Sequence, residues 1–156
     1  MGRQFTLAEA NALLPSVEPL LRHVVALKRE YDGKKKELQH SRAAAMWKGQ
    51  SVDRDSFMAE ETELEFYAVA FQADALRLQE MGVELKDLET GLVDFPTRVQ
   101  GEAAYLCWRL GEPEVLFWHG LEAGFAGRRP VAELPGEALP ERERENRQLP
   151  DEGDSA

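Results

Sequence analysis

Between Val17 and Leu38 apolar residues return at intervals of three and four: Val17, Leu20, Leu21, Val24, Leu27, Tyr31 and Leu38. That spacing lines one face of an α-helix and predicts a long helix running into Ala43-Ala44-Ala45, with Gly33 its weak point. Upstream, Thr6-Leu7-Ala8-Glu9 fits a capping box, and Phe5 just before it suits a hydrophobic staple. Pro15 predicts that this first helix is short and ends near Leu13, because the residue before a proline is driven out of the helical region. Ser16 would then cap the long helix, with Pro19 tolerated in its first turn. Trp47 to Asp55 reads as a turn with Ser51 or Asp53 as the next cap. A third helix carries Phe57, Leu64, Tyr67, Ala68, Phe71, Ala75 and Leu78, and Gly82 stands where a left-handed C-terminal cap belongs.

After Gly82 the period changes to two. Val83-Glu84-Leu85-Lys86-Asp87 and Leu92-Val93-Asp94-Phe95 alternate around Glu89-Thr90-Gly91, the composition of a three-residue hairpin loop. Such a loop sets Leu88 opposite Leu92, Lys86 opposite Asp94 and Leu85 opposite Phe95, with Val83, Leu85, Val93 and Phe95 on the buried face. Pro96 is expected at an edge or a strand end. A second hairpin joins residues 103–110 to 114–119 across Gly111-Glu112-Pro113. Pairing Cys107 with Phe117 and Tyr105 with His119 gathers Leu106, Trp108, Leu110, Leu116 and Trp118 on one apolar face. Cys107 and His119 then share the other, mixed face.

Charge refines how the helices pair. Residues 22–48 are basic, including Lys34-Lys35-Lys36, while residues 53–65 are acidic, including Glu60, Glu61, Glu63 and Glu65. Folding back near Gly49 brings the two blocks together, which predicts an antiparallel helical hairpin whose apolar stripes supply most of the stability. The full chain of 156 residues carries a net charge of -10, much of it contributed by residues 132–156, a proline-containing stretch without aromatic residues that is expected to be disordered. An acidic chain argues against bulk-charge binding to nucleic acid. Every apolar run is broken by charge, so no membrane span is expected. One cysteine and no basic, apolar leader point to a cytoplasmic protein without disulfides.

Residues that bind metals or move protons collect in the C-terminal half: Asp87, Asp94, Cys107, Glu112, His119 and Arg128. Asp94, Cys107, Glu112 and His119 form a candidate set for a divalent metal, although no C-x-x-C or H-x-x-x-H pair marks it. Cys107 with His119 and either Glu112 or Asp94 also has the makings of an activated thiolate. The plainer reading makes Cys107 a small buried hydrophobe, His119 a strand-end residue bonded to backbone, and Lys86 with Asp94 a cross-strand ion pair. Arg128 and Arg129, in Gly124-Phe125-Ala126-Gly127-Arg128-Arg129-Pro130, suit a phosphate or carboxylate, but no Lys-Ser/Thr follows as in a P-loop. His23 and His40 read as ordinary helix positions, and Trp108 and Trp118 as core.

The runs GVELKDLETGLVDFP (Gly82 to Pro96), YLCWRLGE (Tyr105 to Glu112), FWH (Phe117 to His119) and GFAGRRP (Gly124 to Pro130) resemble the prokaryotic family catalogued as domain of unknown function 2203. FTLAEANALLP (Phe5 to Pro15) extends the likeness, which reaches Val131 and omits only the tail. The resemblance implies a small cytoplasmic bacterial protein and supplies no catalytic assignment.

The expected architecture is one α+β domain over residues 1–131: helical from 5 to 81, two β-hairpins from 82 to 121 making a four-stranded antiparallel sheet, and a Gly/Arg loop from 122 to 131. Two function classes follow. One is a non-enzymatic interaction module that forms a homo-oligomer through its helices; the other is a small metal- or anion-binding protein or enzyme using the mixed sheet face.

Overall fold

The computed structural model describes residues 2–50 and 57–134. Helix α1 (Leu7–Trp47) opens with the expected capping box: Thr6 Oγ1 accepts the Glu9 N–H at 3.0 Å, and Glu9 Oε1 accepts the Thr6 N–H at 3.4 Å. The predicted break at Pro15 does not occur, and α1 runs unbroken through both Pro15 and Pro19. The two prolines stand four apart on the exposed side of the helix, so the carbonyls they leave without an N–H partner, on Asn11 and Pro15, lie on the solvent side. On the opposite side Ala10, Leu14, Val17, Leu21 and Val24 are buried, and this packing outweighs the local cost of the prolines.

Helix α2 (Met58–Glu80) returns antiparallel to α1, as its cross-links show. His23 Nδ1 bonds to Asp74 near one end, Lys34 pairs with Glu63 at 3.0 Å, and Arg42 pairs with Glu61 toward the other. The basic and acidic blocks therefore meet as their charges predict. Ser51 and Asp53, the expected caps, lie outside the described residues, and Phe57 at the N-cap makes no side-chain capping bond. At the far end Gly82, with φ of 89°, closes the helix as a left-handed cap.

Strands β1 (Glu84–Asp87), β2 (Leu92–Val99), β3 (Glu102–Arg109), β4 (Phe117–Gly120) and β5 (Arg129–Pro130) form an antiparallel meander in chain order. The expected four strands are present, and the two-residue β5 makes a fifth out of the segment read as a loop. The β3–β4 register is the expected one, with Tyr105 opposite His119 and Cys107 opposite Phe117. The first hairpin corrects the expected pairing. Glu84, not Lys86, stands opposite Asp94, Leu85 faces Val93, and an irregularity between Leu85 and Asp87 absorbs the difference. Because the slip is even, the buried side is unchanged. Pro96 sits inside β2 opposite Tyr105 rather than at a strand end. Its carbonyl accepts the Phe5 N–H at 2.7 Å, so the side of Pro96 lacking an N–H faces the N-terminal segment, beyond the end of β1, and not β3.

One sheet face supplies Val93, Phe95, Leu106 and Trp108 to a core shared with Phe5, Leu14, Val17, Leu21, Val24 and Leu78. Phe5 meets Phe95 edge-on at 5.2 Å. Each large side chain so buried contributes about 1.5–3 kcal/mol. A smaller cluster of Val99, Ala104 and Leu134 extends the core past the predicted end of the domain, since Leu134 is buried where the tail was expected to have begun. The rest of that tail, 135–156, lies outside the described residues. Beyond Leu27 α1 packs chiefly on α2, where Leu38 is buried, while Lys28, Arg29 and Asp32 still border Leu88 and Glu89 of the β1–β2 turn. Along its outer side the hairpin keeps apolar surface in solvent: Trp47 is 92 % exposed, Phe66 67 %, Val69 60 % and Leu76 52 %. No described helix is long and apolar enough to cross a membrane.

Candidate functional site

Alternation along β2, β3 and β4 sends Asp94, Cys107 and His119 to the sheet face away from α1. Asp94 and Cys107 are direct cross-strand partners, and His119 lies diagonally from Cys107, opposite Tyr105. One ligand atom from each of the three lies within 4.8 Å of the other two, and all three residues are buried. Burial on an outer sheet face requires a cover. The segment after β4 supplies it, with a 3-10 turn at Phe125–Gly127 and Arg128, whose guanidinium lies 4.1 Å from the Phe117 ring centre and 4.8 Å from that of Phe125.

His119 is held at both nitrogens. Its Nδ1 lies 2.7 Å from the Gly120 carbonyl, an acceptor only, so Nδ1 carries the proton and donates. Nε2 faces Asp94 Oδ2 at 3.0 Å. The other carboxylate oxygen, Asp94 Oδ1, is buried without a well-formed hydrogen bond among the described residues, and the Cys107 thiol is the carboxylate's other neighbour. Burial pushes the Cys107 thiol up to about 12; the adjacent Asp94 charge adds to the rise, while Arg128 opposes it. Without a compensating cation Cys107 is therefore a protonated thiol at neutral pH, which is the reverse of an activated nucleophile.

The remaining candidates divide. Glu112 stands apart from the Asp94–Cys107–His119 cluster: its Oε1 accepts from Arg128 Nη2 at 2.6 Å and from the Arg109 N–H at 2.6 Å. Arg128 Nη2 also reaches the Cys107 carbonyl at 3.5 Å, so Arg128 is an internal clamp that ties the covering segment to β3. Arg129, one residue on, points to the opposite face and lies over the Trp118 ring at 5.6 Å. The two arginines thus diverge and do not make one anion cradle. Asp87 caps the first hairpin loop through the Glu89 N–H and the Thr90 hydroxyl. The expected Lys86–Asp94 ion pair is absent; Lys86 Nζ bonds to Glu84 at 3.1 Å. Trp108 is core, as expected, and donates its indole N–H to the Glu112 carbonyl.

The sequence model of DUF2203, described as an uncharacterized conserved protein, matches residues 3–131. The chain belongs to the DUF2203 family. No curated protein and no solved structure matches it. The DUF2203 match contains Asp94, Cys107, Glu112, His119, Arg128 and Arg129 together with the helical hairpin, and stops short of Leu134.

Two groups make contacts that the sequence reading gave no role, one beside the site and one between the helices. Tyr105 packs beside His119 with ring centres 5.4 Å apart, and its hydroxyl donates to Glu84 at 3.2 Å. The strand register places Tyr105 opposite His119, so that neighbour was available from the pattern. His23, read as an ordinary helix residue, instead joins Asp74, itself buried in α2 and flanked by Arg77 at 3.7 Å. Only the docking of the two helices brings that pair together.

Proposed function

We propose that this DUF2203 chain is a non-enzymatic interaction module of the bacterial cytoplasm that forms a homodimer through the outer face of its helical hairpin. The observation that carries the reading is the second apolar face of α2. Leu64, Ala68, Phe71, Ala75 and Leu78 lie toward α1, while Phe66, Val69, Ala73 and Leu76 repeat at intervals of three and four along the exposed side. A helix that is apolar on two opposite faces calls for two partners, and α1 accounts for one.

A second copy suits the stripe because the spacing is the same read in either direction. In an antiparallel two-fold pair, Phe66 meets the partner subunit's Leu76, and Val69 meets the partner subunit's Ala73. Glu63, which also pairs with Lys34 of its own chain, and Arg77, beside its own Asp74, flank the stripe on one side, so in this alignment Glu63 approaches the partner subunit's Arg77 and the approach occurs twice. Opposite charges at mirrored positions favour this alignment over a parallel one. Glu112 and Arg128, engaged with each other and with β3, serve to hold the covering segment, in keeping with an interaction role.

Sedimentation velocity on the full chain tests the reading. A dimer is expected at tens of micromolar, and Val69→Glu, which places a charge in the middle of the stripe without touching the α1 contact, is expected to give folded monomers. A wild-type chain that sediments as a monomer, or a Val69→Glu chain that stays dimeric, overturns it.

A further inference from the structure

We propose that Asp94, Cys107 and His119 form a metal centre for a borderline divalent transition ion of the zinc type, with one ligand from each of three adjacent strands. The three donor atoms are a sulfur, an imidazole nitrogen and a carboxylate oxygen, a set that suits zinc, cobalt or ferrous ions far better than magnesium or calcium.

Three observations carry the assignment. First, the three donors converge within 4.8 Å although they come from positions up to twenty-five residues apart, as the strand register dictates. Second, His119 has an acceptor at each ring nitrogen. With its Nδ1–H committed to the Gly120 carbonyl, Nε2 presents its lone pair to the cluster and to Asp94 Oδ2 only 3.0 Å away. Two lone pairs so placed repel unless a positive charge lies among them. A backbone carbonyl that fixes the remote ring nitrogen is also the usual second support of a metal-bound histidine. Third, Asp94 is only 2 % exposed, and its Oδ1 is buried without a well-formed hydrogen bond among the described residues; the weakly donating Cys107 thiol is the carboxylate's other neighbour. A buried carboxylate oxygen left in that state has lost its water without full replacement, and a cation in the cluster compensates it.

The charge balance agrees. One divalent ion offsets the Asp94 carboxylate and a Cys107 thiolate, so the closed site becomes neutral, and the thiol proton leaves to solvent when the ion binds. Three ligands leave a fourth position for water or a small anion. The competitor for the same place is a proton: a doubly protonated His119 paired with Asp94 beneath the Arg128 cover. That alternative supplies one positive charge, leaves Cys107 a thiol and binds no ion.

The test uses the full chain without an affinity tag, produced in zinc-supplemented and in cobalt-supplemented medium and dialysed against buffer. Near one ion per chain is expected, and the cobalt form is expected to show a thiolate-to-cobalt charge-transfer band in the near ultraviolet. Cys107 is the single cysteine, so that band has one possible source. His119→Gln and Asp94→Asn, checked for folding by circular dichroism, are expected to lose the ion, whereas His23→Gln, at the half-exposed histidine–aspartate contact between the helices, is expected to keep it. Wild-type chains that retain no ion from either medium overturn the proposal, as do cobalt chains without the charge-transfer band or a folded His119→Gln chain that holds as much metal as wild type. Should His119→Gln and Asp94→Asn fail to fold, the wild-type cobalt spectrum decides alone.

Discussion

Through its Oδ1, Asn11 accepts the backbone N–H of Val115 at 2.7 Å, tying the first turns of α1 to the connection between β3 and β4. Val115 is 1 % exposed, so its N–H has no water to turn to. Asn11→Ala is expected to cost about 1–3 kcal/mol in urea denaturation, and Asn11→Asp, which keeps the acceptor, less. Nothing local in the sequence announces Asn11, because its partner lies across the core. The cluster of Asp94, Cys107 and His119 was legible, by contrast, because strand parity alone assigns a face and the apolar residues fix the parity. Cys107 supplies a second prediction at this scale. In chelator-treated protein its thiol, fully buried and held up to about 12, is expected to resist iodoacetamide at neutral pH and to react at the rate of unfolding. Rapid alkylation of the folded, metal-free chain would show that the covering segment opens readily.

Strands and helices were legible to the extent that their cause is local. The period-two segments, the capping box, the Gly82 cap and the meeting of charge blocks all follow from neighbouring residues. Pro15 misleads because the propensity argument sees the missing N–H and the restriction on Leu14, but not the buried side of α1 that carries the helix through them. The first hairpin misleads for a different reason: an extra residue at the irregularity near Lys86 lengthens one strand by an amount the pattern does not encode. Gly91 offers a test of that hairpin. Its φ is 72°, and a Cβ there would lie 2.5 Å from Leu110 Cδ1, so an alanine meets both an unfavourable backbone and a collision with a core side chain. Gly91→Ala is expected to lower stability by about 1–3 kcal/mol, measured by urea denaturation, whereas Gly101→Ala, with φ of 79° and open space around it, should suffer only the backbone part of that cost.

At the scale of the molecule the domain reaches slightly further than composition suggests. Leu134, in a stretch read as tail, is 8 % exposed against Val99 and Ala104. Leu134→Ala is expected to cost about 2 kcal/mol, the low end for a leucine because its cluster is small. Removing residues 136–156, which contain few aliphatic side chains and no aromatic one, is expected to leave the melting temperature unchanged. A single leucine among charged and turn-forming neighbours gives no periodicity, which is why its anchoring was not legible. The unbroken α1 has one further consequence. At 41 residues it is a strut about 60 Å long, its first half seated on the sheet and its second half carrying α2. A load applied at Trp47 is therefore delivered to the base of the same rod. Pro15 and Pro19 fall inside the seated half, where core packing braces them, so the far half projects from a fixed base with α2 as its stay.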